Sequence, residues 1–169
     1  MEINIDNRSG RELPLEHIEA LAAFTIKESG LLEGFSGQQF DRIELSLSFV
    51  DTDEITKLNG EYRSKPQPTD VLSFEMDDFL ELAQTDDAAA NPGEGASGIL
   101  LGDIVINPDV AEKHAVIEEL DLEEEIWVLV IHGILHLLGY DHMEADEASI
   151  MEELEDRLFN AWLEKTERS

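Results

Sequence analysis

No cysteine occurs among the 169 residues. Disulfides and thiolate metal sites are therefore excluded, and histidine and carboxylate remain as the side chains able to hold a metal. Basic residues are scarce, with 11 Lys and Arg against 40 Asp and Glu, a formal net charge of −29. So acidic a chain opposes nonspecific nucleic-acid binding, because attraction to phosphate rests on Lys and Arg. The charge suits a high-salt habitat or simple solubility. No Lys or Arg lies between Lys65 and Lys113 or between Lys113 and Arg157, while Arg42, Lys57, Arg63 and Lys65 form a modest basic cluster in sequence. Long apolar runs are also lacking. The longest, Ile126 to Ile131, is far too short to span a bilayer. The start, Met1 to Asp6, has neither the basic residues nor the apolar stretch of a signal peptide. A cytoplasmic protein without membrane association is expected.

A chain this long forms one compact domain by default, so residues 1–169 are read as a single unit. Residues 2–6 alternate apolar and polar, as a short strand does. Leu15, Ile18, Ala22 and Ile26 share a helical face, and Gly30 is a natural stop. Residues 42–50 alternate cleanly through Ile43, Leu45, Leu47 and Phe49, which predicts a half-buried strand. Asp51 with Glu54 reads as a capping box for a short helix through Ile55, Leu58 and Tyr62, and Pro66 and Pro68 break the chain after it. Val71 to Phe74 is strand-like, and Leu100 to Ile106 is a further strand interrupted at Gly102-Asp103. Between them, the segment 76–98 is rich in Asp, Ala, Gly and Asn and carries no positive charge; it reads as a flexible acidic insertion. A helix is expected from Pro108 to about Ile117. Asp121 with Glu124 opens a second boxed helix, apolar nearly all round from Ile126 to Leu138 and hence central and buried. Met151, Leu154, Leu158 and Trp162 mark one face of a closing helix. The fold class is α/β (α+β): a small mixed sheet of about four strands covered by about five helices, with a metal site at the end of the central helix.

That metal site is read from the run His132-Gly133-Ile134-Leu135-His136-Leu137-Leu138-Gly139-Tyr140-Asp141-His142, which holds three of the five histidines. His132 and His136, four apart, stand on one helical face. Gly139 can end the helix with a left-handed turn, so His142 can approach from the other side. Imidazoles inside an apolar helix cost free energy unless satisfied, and an ion would satisfy both. A lone histidine would be explained by a hydrogen bond to backbone or carboxylate, but three at this spacing favour a metal. Three neutral ligands without an evident fourth describe an open catalytic site. Zn2+ is the first choice, with Ni or Fe as possible substitutes. An ion there would lower the pKa of a bound water toward neutrality. The spacing also matches the extended zinc motif of metzincin proteases, which place Glu after the first histidine as general base. Here that residue is Gly133, which cannot move a proton.

The histidine run resembles the signature of the YbeY family of bacterial endoribonucleases. Leu58 to Arg63, Pro68 to Phe74 and Leu101 to Asn107 resemble further family blocks in the same order, so the likeness covers most of residues 42–160. It implies an α/β metalloprotein with His132, His136 and His142 around one zinc-like ion, and Arg63 in the position of the family's functional arginine. It implies a metal-dependent, single-strand-specific endoribonuclease acting in 16S rRNA 3′-end maturation and ribosome quality control, with rRNA and the small ribosomal subunit or its proteins as partners. His136 and Arg63 are the candidate catalytic pair. Arg63 suits the charge developing on phosphorus, because a guanidinium is planar, always charged and bidentate; the plainer reading is a surface arginine at a helix end. Asp141 either orients an imidazole or caps the next helix. Asp70 and Asp103 are read as turn chemistry. Two departures from the family pattern touch substrate contacts: Pro66 where an acidic residue is frequent, and the length of 76–98. The competing readings are a zinc metalloprotease-like hydrolase, which lacks its base, and a noncatalytic ribosome-associated module with a structural metal.

Overall fold

The computed structural model describes residues 1–30, 32–76, 79, 81, 98–140 and 145–168. His142 and Asp141 lie outside the described residues, as does the 76–98 segment apart from Met76, Phe79, Glu81 and Gly98. Within them, four strands form one mixed sheet: β1 (Glu2–Asn7), β2 (Ile43–Phe49), β3 (Val71–Glu75) and β4 (Ile99–Ile106). The spatial order is β1-β2-β4-β3. β1, β2 and β4 run parallel, and β3 pairs antiparallel with β4 at the edge, Leu72 opposite Val105. β4 is continuous through Gly102-Asp103, where an interruption was expected. Its only concession is a register shift, Glu44 facing Leu100 and Leu45 facing Gly102.

Six helices surround the sheet among the described residues: α1 (Leu15–Glu28), α2 (Gly37–Arg42), α3 (Thr52–Arg63), α4 (Pro108–Glu118), α5 (Leu122–Leu137) and α6 (Ala145–Glu167). The extra one is α2, a short helix closed by a reciprocal box between Ser36 and Gln39. The box at Asp121 and Glu124 forms as expected at the start of α5. At α3 only half forms. Asp51 accepts from the Glu54 amide at 2.8 Å, but the Glu54 carboxylate is held by Arg8 instead. No described helix is long and apolar enough to cross a membrane.

The period-two pattern sends β4 side chains to both faces. Ile104 and Ile106 enter the main core with Leu45, Leu47 and Phe49, under α1, α5 and α6. Val105 and Leu72 point the other way and pack with Val50 and Ile55 of α3. α5 is the hub of the larger layer, touching β3, β4, α1, α4 and α6. Trp162 of α6 closes that layer, its ring 5.4 Å from Phe24 and 6.4 Å from Trp127.

Two buried asparagines tie the loops around the sheet end. Asn107, fully buried, donates to the Val50 carbonyl at 2.9 Å and accepts from the Val110 amide, capping α4. Its own amide donates to the Asp70 carbonyl, locking the start of β3. Asn59 donates to the Gln67 carbonyl at 2.9 Å and so holds the proline-broken loop against α3. Asn107→Ala should therefore leave a buried carbonyl unpaired and a helix uncapped. A loss of about 2 kcal/mol or more is expected, readable as a lower urea midpoint at constant slope.

Candidate active site

α5 carries His136 into a surface cleft, with His132 one turn before it. His132 and His136 lie one turn apart, ring centroids 4.5 Å and planes 74° apart. The cleft measures about 360 Å³ and is lined by Arg63, Ser73, Glu75, His136, Leu137, Gly139 and Tyr140. Three elements thus converge: the last residue of α3, the end of β3 and the last turn of α5. The structure brings Arg63 and His136 to one cavity although 73 positions separate them in sequence. Arg63 sits at a helix end, as its plainer reading held, but that end faces the cleft.

His132 has a partner that spacing alone did not reveal. Its Nδ1 lies 2.6 Å from Glu155 Oε1 of α6. A carboxylate on Nδ1 fixes the ring and directs Nε2 outward, the arrangement typical of histidines that hold a metal. Glu155 lay within the helical pattern of Met151, Leu154 and Leu158, where an intervening acid passes for solvated surface. The turn after α5 follows expectation. Gly139 adopts φ +97°, its amide donates to the His136 carbonyl and the Tyr140 amide reaches back to Leu135. Neutral imidazoles with one ring already anchored by a carboxylate fit a zinc-like ion.

Gly133 has a packing reason. A Cβ there would stand 2.9 Å from Ile104 Cδ1 and 3.1 Å from Cγ2. The helix thus lies close on β4, and its glycine faces the sheet while His136 reaches the cleft. A glutamate at this position, as a metzincin would require, would drive into Ile104.

A second group of ligand-type side chains lies toward the other end of α5. Asp70, His114 and Glu125 each offer a ligand atom within 4.8 Å of the others, a set that could hold a metal ion. Asp70 does serve the turn, its Oδ1 accepting from the Val71 amide at 2.8 Å. Its Oδ2 lies 3.0 Å from His114 Nδ1. Burial holds the Glu125 carboxyl above its ordinary range; His114 opposes that shift, and Asp70 and Glu118 add to it. These three residues come from β3's start, α4 and α5, so no sequence spacing could announce them.

The model of the family described as Endoribonuclease YbeY matches residues 4–163. The chain belongs to the endoribonuclease YbeY family. Curated YbeY relatives include that of Salinispora tropica, 38% identical over 163 residues with 96% of each chain covered. The Mycobacterium leprae relative is 36% identical over 169 residues, covering all of this chain and 87% of its own. A solution structure from Thermotoga maritima shares the fold, with a TM-score of 0.51, 24% identity, and coverage of 99% of this chain and 95% of that one. Within this YbeY chain the close Gly133 contact makes a direct prediction. Gly133→Glu should cost about 3 kcal/mol or more, through overpacking and a buried charge. Gly133→Ala needs Ile104 to yield only a few tenths of an ångström and should cost far less, as thermal unfolding would show.

Proposed function

We propose that this protein is a metal-dependent endoribonuclease that cuts single-stranded RNA, acting in 16S rRNA 3′-end maturation and ribosome quality control in the cytoplasm. The observation that carries the reading is the shared cleft of Arg63 and His136, beside a His132 anchored by Glu155. His132, His136 and His142 would hold one ion, Zn2+ by preference with Ni or Fe as substitutes, in a single hydrolase domain. When bound, such an ion polarises the phosphodiester and acidifies water at neutral pH.

The chain's own residues do the rest. Glu155 keeps the His132 ring oriented and its Nδ1 engaged. Arg63 meets the phosphate oxygens with two parallel N–H donors as charge grows on phosphorus. Among the described residues Arg63 and Lys65 form no ion pair, whereas Arg8 is bound to Glu54 and Arg11 to Asp109. Arg63 thus stays available in the cleft of a strongly acidic molecule, with Lys65 two residues on in sequence. Tyr62, 65% exposed, stands next to Arg63 with its ring 5.0 Å from Phe74, a surface on which an unpaired base can stack. RNA also carries a nucleophile in its 2′-hydroxyl, whose proton would still need an acceptor other than Gly133, which has no side chain to take it. The acidic remainder suits a basic ribosomal protein of the small subunit as docking partner.

Cleavage of a single-stranded rRNA fragment tests the reading. His136→Ala should abolish cutting while leaving the fold intact. Arg63→Lys, which keeps the charge and loses the fork, should reduce kcat about 100-fold or more. Equal cutting by wild type and His136→Ala would sink the assignment. Glu155→Ala should weaken zinc binding about 10- to 100-fold in a chelator competition.

A further inference from the structure

We propose that Asp70, His114 and Glu125 form a second divalent-cation site, separate from the histidine cleft, which clasps the edge strand β3 to α4 and α5. Glu125 carries the case. It is only 6% exposed, and its side chain makes no hydrogen bond or ion pair among the described residues. With no protein hydrogen bond on it, the carboxylate is open to a ligand that the protein does not supply. What it faces is the Asp70 carboxylate and the His114 imidazole, with all three ligand atoms inside 4.8 Å.

The charge here can be balanced in two ways, by a proton on Glu125, whose carboxyl burial pushes up, or by a divalent ion. An imidazolium among two carboxylates leaves one negative charge, and Glu118 on α4 adds another nearby. A divalent ion with a neutral imidazole balances Asp70 and Glu125 completely. Mixed nitrogen and oxygen ligands suit a first-row ion such as Zn2+ or Mn2+. His114 is half-exposed, which gives an ion and its waters a way in. Asp70 is already fixed by the Val71 amide, so one ligand is preoriented. Glu125 precedes His132 by seven residues on α5, about 10 Å along the helix axis. The two sites therefore sit at opposite ends of the α5–β3 contact. The one at β3's start would steady the strand whose other end brings Ser73 and Glu75 to the cleft.

Equilibrium dialysis of the metal-stripped full chain against Zn2+, in about 0.3 M KCl to suppress the diffuse ion atmosphere, gives the test. Bound zinc is counted by mass spectrometry. Glu125→Gln and His114→Gln should each hold one equivalent less than wild type, with unchanged circular dichroism. His136→Ala, which disturbs only the cleft, should keep this ion and lose it when combined with Glu125→Gln. Zinc should also raise the Tm of His136→Ala but not that of the double variant. Should Glu125→Gln fail to fold, the half-exposed His114→Gln carries the same test. Wild-type zinc content in both variants overturns the proposal and leaves a proton-bridged cluster. Loss of zinc in His136→Ala alone would speak only for the cleft.

Discussion

The close approach of α5 to β4 is the contact on which the rest of the molecule depends. Gly133 sets it, because any side chain there would press on Ile104. Around that contact Val130, Ile131, Ile134 and Leu135 of α5 are buried in the core, so the helix and its imidazoles are placed by packing. The histidines lie just off that contact line, at the border between packed helix and cleft. A general base directly after His132 is incompatible with this packing. The residue that weighs against peptide hydrolysis is thus the one that seats the helix, and any proton acceptor at this site has to come from a residue other than the one after His132.

Local pattern carried far for the elements and less far for what joins them. Strict alternation in Ile43 to Phe49 and the apolar run of Ile126 to Leu138 were sufficient, because one face or all faces of each element are buried. Helix α2 was missed although Ser36 and Gln39 carry the box signal, since six residues without a buried face leave no periodicity to see. The half-formed box at Asp51 shows the converse. A signal correct in sequence lost one member to Arg8, 46 residues away. Strand order depends on such long-range pairings, and β3's antiparallel place at the edge could not be read from its five residues.

The candidate site divides in the same way. His132 and His136 were legible because a helix fixes their relation through spacing alone. Arg63 was legible only through family likeness; nothing in its neighbourhood of the sequence points at His136, and folding around β3 makes them neighbours. Glu155 and the Asp70, His114, Glu125 group were not legible at all. Their partners come from three or more separate elements, and acidic residues are so frequent here that no single one stands out. Their mutual placement distinguishes them, and placement is a property of the fold.

An acidic protein that engages RNA has to localise its few positive charges. Arg8 and Arg11 are spent on carboxylates of α3 and α4, where they join β1's end to the helices. The cation left in the cleft is Arg63 at the α3 end, with Lys65 two residues on in sequence. With a Debye length of about 8 Å at physiological salt, distant carboxylates scarcely weaken them, while within the cleft their field acts at close range. Repulsion from the remaining surface then works as a filter. Under the proposed reading, a long duplex lying across the molecule would meet repulsion from the acidic surface beyond the cleft, and a single strand presenting one phosphate to Arg63 and one base to Tyr62 would meet less. Selectivity for unpaired RNA can follow from where the charge is missing as much as from where it is present.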